Sequence, residues 1–247
     1  MRDIALLLIL KTSVFAPLST KKLVIAIDGP AASGKSTSAR LVARALNYLY
    51  VDTGAMYRAV TLKVLRRGID PEDELRVGEV ARLARIDLKT GLEGLGVFLD
   101  EEDVTEEIRS ADVTRSVSAV SRIRGVREAM VRLQRNIGSI GGVVLEGRDI
   151  GTIVFPNADL KIFMVATLDV RVRRRLDELC ASGMQVQPDV LREEIKRRDE
   201  LDSTRDESPL MRAADAIELD TSRLTIDEQV EFVIKKAKGF LQNKAFK

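Results

Sequence analysis

Gly29-Pro30-Ala31-Ala32-Ser33-Gly34-Lys35-Ser36 is a full match to G-x-x-x-x-G-K-[ST], and Thr37 follows it directly. Small residues let successive backbone N–H groups curl round a phosphate and deliver it to the positive end of a helix. Lys35 can reach the outer phosphates, and the Ser36 hydroxyl can ligate a Mg²⁺ that travels with them. The spacing therefore predicts a nucleoside triphosphate site over Gly29–Thr37. A glycine-rich turn with an incidental lysine is the bland alternative, but it leaves the surroundings of the motif unexplained. Val24-Ile25-Ala26-Ile27 before it reads as a strand buried on both faces. Leu41, Val42, Ala45, Leu46 and Leu49 after it repeat at helical spacing, so strand, loop and helix come in the required order.

Composition narrows the chemistry. The 247 residues contain no histidine, which removes Ser-His and Cys-His nucleophilic sites, histidine bases and almost every catalytic zinc site. Phosphoryl transfer survives this test, because it needs positioning and cationic stabilisation more than a strong base. Forty Lys+Arg against 38 Asp+Glu give a net charge of +2, which argues against a sequence-independent nucleic-acid binder. A single cysteine, Cys180, cannot form an internal disulfide and suits a reducing cytosol.

Residues 1–20 read as an extension outside the core. Ile4 to Leu10 is apolar throughout but too short to cross a bilayer. As a signal peptide it would carry Asp3 in a basic leader and Pro17 after a poor cleavage site at Val14-Phe15-Ala16, so secretion is disfavoured.

Beyond the loop, Tyr48–Val51 predicts a second strand running into Asp52-Thr53-Gly54-Ala55-Met56-Tyr57-Arg58. Asp52 or Thr53 can cap a helix lasting to about Arg67, with Arg58 one turn inside it as a possible anion ligand. A short helix over Leu75–Leu83 precedes two short strands around Gly91, Gly94 and Gly96. Thr105 to Arg109 reads as another helix start. Helices follow from about Ala111 to Asn136, with Gly125 marking their break. The second buries Val126, Met130, Leu133 and Ile137, and its arginines, Arg127 among them, read mostly as a solvated face. Val143–Leu145 is a third strand, and it ends in Glu146-Gly147-Arg148-Asp149-Ile150-Gly151-Thr152, where α/β sheets bind ligands. Leu160–Val165 and Ala216–Leu219 complete five strands, and a closing helix carries Ile226, Val230, Val233, Ile234 and Ala237. The segment from Cys180 to Met211 is polar, heavily charged and without apolar periodicity. It reads either as an exposed helix laced with ion pairs or as a mobile lid whose arginines close over phosphates. Alternating strands and helices predict an α/β fold with a five-stranded parallel sheet and helices on both faces.

The four blocks Ile27–Thr37, Asp52–Arg58, Glu146–Thr152 and Ile195–Arg205 together resemble bacterial cytidylate kinases, within the nucleoside monophosphate kinases of the P-loop class. The likeness runs from about Leu23 to Ala237. It implies transfer of the ATP γ-phosphate to CMP or dCMP in pyrimidine nucleotide metabolism, with Mg²⁺, by a cytoplasmic monomer that uses neither nucleic acid nor membrane. It further implies one kinase domain over 21–247, with a monophosphate-binding insertion at about 75–110 and a lid at about 169–205.

Carried over residue by residue, the resemblance makes Arg58, Arg148 and Arg205 the clamp on the CMP phosphate, with Thr53 beside them. Ser118, Arg127 and Asp149 become the cytosine readers, and Arg198 and Asp202 the ribose contacts. Arg174 and Arg175 become lid cations near the transferring phosphate, beside Lys35 and Arg148 as the catalytic cations. Glu146 stands where many relatives carry Asp, which touches only the local water and Mg²⁺ geometry. A GTPase would need an N-K-x-D block, and none is present. Another small-molecule P-loop kinase, for a different nucleoside monophosphate or for shikimate, is the remaining enzyme alternative. A non-catalytic binding protein would have no use for the intact phosphate clamp.

Overall fold

The apolar runs at Val24–Ile27, Val143–Leu145 and Leu160–Val165 become strands, and the glycine loop joins the first of these to the first helix. The structure is a computed structural model that describes residues 22–91, 94–181 and 183–245, so the extension at 1–20 lies outside the described residues. Strand β1 (Val24–Asp28) turns through the loop into α1 (Lys35–Leu46). Strand β2 (Leu49–Asp52) enters α2 (Thr53–Arg66), which Asp52 caps by accepting the Ala55 N–H at 2.9 Å. Helix α3 (Glu74–Leu83) precedes β3 (Ile86–Gly91), β4 (Gly94–Leu99) and β5 (Glu102–Asp103). Helices α4 (Ala111–Arg122) and α5 (Arg124–Gly138) lead to β6 (Val143–Gly147) and a π-helical turn over Ile150–Val154. The chain then forms β7 (Leu160–Val165), α6 (Leu168–Ala181), α7 (Pro188–Thr204), β8 (Ile217–Asp220) and α8 (Ile226–Ala245).

The main sheet has the order β2-β6-β1-β7-β8 and is parallel throughout, as the α/β pattern predicts. Residues of β1 alternate between its two faces. Ile25 and Ile27 join α1 and α8 through Val42, Val233 and Ala237. Ala26 faces the other layer, where α2 to α5 contribute Met56, Val60, Val77, Val120 and Met130. Because every strand points the same way, Asp28, Asp52 and Gly147 end on one edge of the sheet, where the crevice lies. Among the described residues, no helix is long and apolar enough to cross a membrane.

Four local expectations are corrected. The break between α4 and α5 falls at Ile123, whose extended backbone ends one helix and starts the next. Gly125 lies inside α5, where a Cβ would come within 3.2 Å of the Gly78 Cα on α3, so its role is close packing. The two strands after α3 gain a third, β5, and Thr105–Arg109 yields only a 3₁₀ turn over Glu107–Arg109. Helices α6 and α7 pair through an apolar seam of Val172, Leu179, Leu191 and Ile195. That seam is divided between two helices, and neither half carries a long apolar stripe.

Candidate active site

The phosphate loop is built by backbone constraints. Gly29 has φ +150°, and a Cβ there would lie 2.1 Å from the Met164 carbonyl oxygen of β7, so only glycine lets the loop leave β1 against β7. Gly34, at φ +97°, stands at the start of α1, where a Cβ would meet the Gln229 amide oxygen at 2.9 Å. Ala31, Ala32, Gly34, Lys35, Ser36 and Thr37 line one end of a deep cleft. Gly29, Pro30 and Ser33 are not part of that lining. The Pro30 carbonyl accepts a hydrogen bond from Lys35 Nζ at 2.6 Å, and the Ser33 carbonyl accepts the Thr221 hydroxyl at 2.8 Å.

Lys35 is buried, and burial together with the neighbouring Arg148 charge pulls its pKa from 10.5 down to about 7. Across the cleft, Thr53 fixes the start of α2 by donating its hydroxyl to the Glu146 carbonyl at 2.7 Å. Tyr50 donates to Glu146 Oε1 at 3.0 Å, and the Ser36 hydroxyl stands beside both. Burial, and then the adjacent Asp52 carboxylate, push the Glu146 carboxyl above the usual carboxylate range. Two carboxylates and a hydroxyl thus converge beside the phosphate loop.

The far end of the cleft holds the remaining expected residues. Arg58, Ser118, Arg127, Arg148 and Asp149 line it, together with Arg175, Arg198, Asp202 and Arg205. Arg127 and Asp149 form an ion pair buried on both sides, with the Arg127 guanidinium 5.5 Å from the centre of the Tyr57 ring. Arg127 is 3 % exposed, which sets it apart from the other arginines of its helix, most of which read as a solvated face. Arg148 pairs with Asp202 through Nε at 2.7 Å, and Arg205 stands 3.9 Å from the same carboxylate. Arg58 and Arg198 have no ion-pair partner among the described residues. Burial lowers the pKa of both, that of Arg198 to about 10 with the Arg148 charge contributing.

Arg174 is not brought into the lining. Its guanidinium donates to Thr221 Oγ1 at 3.1 Å and to the Thr221 carbonyl at 2.7 Å. Arg175, its neighbour, lines the cleft and pairs with Glu178 at 2.9 Å.

Three residues emerge only from the structure. Asp28 accepts the N–H groups of Ile150 and Gly151 at 2.9 and 2.7 Å. Arg171 reaches from α6 to the Ala31 carbonyl at 3.4 Å and pairs with Asp199 of α7 at 2.6 Å. Gln229 of α8 accepts the Ser38 hydroxyl at 2.9 Å. Each contact spans well over a hundred residues or crosses between helices, so no local pattern announces it; Asp28 alone sat inside a recognised motif.

Comparison with known proteins agrees with this geometry. The family described as cytidylate kinase matches residues 25–239. The chain is 53% identical over 208 residues to a cytidylate kinase of Bacillus pumilus, covering 84% of this chain and 92% of that protein. It is 51% identical over 213 residues to a cytidylate kinase of Pelotomaculum thermopropionicum, covering 86% and 94%. With a Limosilactobacillus reuteri cytidylate kinase the identity is 52% over 225 residues, covering 90% and 99%. A phosphate loop, an arginine-lined cleft and this similarity along almost the whole fold have one reading: the chain belongs to the cytidylate kinase family.

Proposed function

We propose that this cleft transfers the γ-phosphate of ATP to CMP or dCMP, giving ADP and CDP or dCDP. The observation that carries the reading is the set Lys35, Arg58 and Arg198, three cations around one cleft, each with its pKa depressed by burial. None has an ion-pair partner among the described residues. Holding desolvated cations together is unfavourable unless anions neutralise them, and two phosphate-bearing substrates do so. The other alternative acceptors, adenylate and shikimate among them, are not favoured.

In this reading the loop N–H groups and Lys35 hold the β- and γ-phosphates of ATP. Arg58, Arg148 and Arg205 hold the acceptor phosphate, and Arg175 stands over the gap between the two. Transfer then depends on in-line placement and on cations around the transferring group, which stabilise charge as it redistributes. Arginine's planar fork suits phosphate oxygens better than a lysine ammonium does. The acceptor base sits against Ser118 and the buried Arg127–Asp149 pair, with the ribose near Arg198 and Asp202.

Mg²⁺ fits the donor set beside the loop. Ser36 offers a hydroxyl, and Glu146 and Asp52 offer two neighbouring carboxylates whose repulsion a divalent cation would relieve. Hard oxygen ligands, completed by water and phosphate oxygens, are what this ion prefers. When bound it would neutralise phosphate charge and orient the triphosphate.

Residues 75–110, with α3 and the three-stranded sheet, serve as the monophosphate-side insertion, and 169–205 as the lid. The protein works as a monomer in the cytoplasm. Incubation with ATP, CMP and Mg²⁺ followed by ³¹P NMR should show ADP and CDP growing in equal amounts. ADP accompanied by inorganic phosphate, without CDP, would mark the cleft as an ATPase site and overturn the reading.

A further inference from the structure

We propose that Asp28 is a positioning residue for acceptor recognition: it ties the loop carrying Arg148 and Asp149 to the root of the phosphate loop. The inference deepens the function proposed above and rests on it. Asp28 is the last residue of β1, and its backbone lies in register with Gly147 of β6 and Phe163 of β7. The next residue, Gly29, begins the phosphate loop. The side chain is 5 % exposed, and its two oxygens are directed at two consecutive amides. Oδ1 accepts the Ile150 N–H at 2.9 Å, and Oδ2 accepts the Gly151 N–H at 2.7 Å.

Those amides open the π-helical turn Ile150–Val154, and the first N–H groups of any helical turn have no partner inside it. Asp28 therefore caps this turn from another strand. Asp149 immediately precedes the capped amides, and Arg148 precedes Asp149. One carboxylate thus fixes the segment that reads the acceptor base and grips its phosphate relative to the loop that holds the donor.

The fit is close. A Cβ on Gly151 would lie 3.4 Å from Asp28 Oδ2, an ordinary contact, and 3.1 Å from Lys161 Cδ, so even one added methyl would press on the Lys161 stem. Burial raises the Asp28 pKa to about 6, with the Asp149 charge adding to the rise and the two amide bonds opposing it. A carboxylate held in so unfavourable a place, with two backbone amides as its only hydrogen-bond partners among the described residues, is spent on loop placement.

Asp28→Asn keeps the shape but can accept only one of the two N–H groups, leaving its own NH₂ facing the other. Charge-assisted bonds of this kind are worth on the order of ten- to a hundred-fold in an equilibrium. Steady-state kinetics of the full chain should show KM for CMP rising by about tenfold and the CMP/UMP preference in kcat/KM narrowing by about as much, while KM for ATP stays within about twofold. Asp28→Ser replaces the carboxylate with a shorter, neutral hydroxyl and should produce the same acceptor-specific change. It also serves where Asp28→Asn fails to fold. A loss of kcat and thermal stability in these variants with KM for CMP and the CMP/UMP ratio unmoved would assign Asp28 a merely structural role and overturn the proposal. Wild-type turnover of CMP in the same assay tests the underlying function separately.

Discussion

Arg148, at the end of β6, donates from Nε to Asp202 Oδ2 of α7 at 2.7 Å, joining the sheet to the helical hairpin that covers the cleft. Both side chains are less than one fifth exposed. Burial works against each charge, but their attraction outweighs it: Arg148 keeps its proton more firmly than a free arginine, and the Asp202 carboxyl lies below the usual range. Because the folded pKa of Asp202 is depressed, the pair's contribution is present above the ordinary carboxylate pKa of 3.8 and is lost as pH falls through the folded value. The pair is therefore intact at neutral pH.

Asp202→Asn removes the charge and should cost on the order of 1.5–3 kcal/mol of hairpin anchoring. Amides of α7 should exchange faster in the free protein, and KM for CMP should rise by about tenfold or more. Unchanged exchange over 188–204 would show that the apolar seam between α6 and α7 holds the hairpin without this pair.

Hydrogen exchange also tests the lid. The hairpin has its own small seam, the Arg171–Asp199 ion pair between its two helices, and the Arg148–Asp202 pair across to the sheet. Protection over 169–205 should increase when ATP and CMP are present together, because both substrates add anions beneath its arginines. Equal protection with and without substrates would make it a fixed cover.

Lys35 is expected to trade stability for activity. Its folded pKa of about 7 lies below the 10.5 of a free lysine, so between those values the unfolded chain binds the proton more tightly and folded stability rises with pH. Lys35→Met, similar in volume and uncharged, should raise the melting temperature of the ligand-free protein at pH 7, by about 2–4 °C for each kcal/mol recovered. The gap should close towards pH 10. Turnover in this variant, and in Lys35→Ala, should fall by orders of magnitude with the fold intact. A folded Lys35→Ala protein with near-normal turnover would contradict the placement of the triphosphate.

Asp149→Asn separates base reading from loop holding. Cytosine presents an amine where uracil presents a carbonyl, and a carboxylate is the natural partner of the amine. The substitution should lower kcat/KM for CMP and narrow the CMP/UMP ratio by about ten- to a hundred-fold, with KM for ATP nearly unchanged. It also leaves Arg127 without its buried partner, so a lower melting temperature is expected. A parallel decline for both pyrimidines would leave Asp149 only its structural tie to Arg127.

Much of this architecture is legible in the residues themselves. Val24–Ile27 and Val143–Leu145 are uninterrupted apolar runs and Leu160–Val165 is broken only by Lys161, the mark of strands covered on both faces, and the loop at Gly29–Thr37 announces its own chemistry. The α4–α5 break was misplaced because Gly125 looks like a helix terminator, whereas its missing side chain serves the contact with Gly78. Helical spacing alone could not single out Arg127 among the arginines of α5, because it shows which residues share a face and not what lies opposite. Its partner Asp149 comes 22 residues later, from another element. Asp28 was visible only as a member of the first motif, since the amides it caps lie more than 120 residues away.

Acceptor-dependent ADP release, measured in a coupled assay with ATP and Mg²⁺ across CMP, dCMP, UMP, AMP and GMP, tests the central claim most directly. CMP and dCMP should drive release far above the rate without acceptor, UMP should be used less well, and the purine monophosphates should stay near background. AMP or GMP as the preferred acceptor, or release indifferent to any acceptor, would contradict the assignment of this cleft to cytidylate phosphorylation.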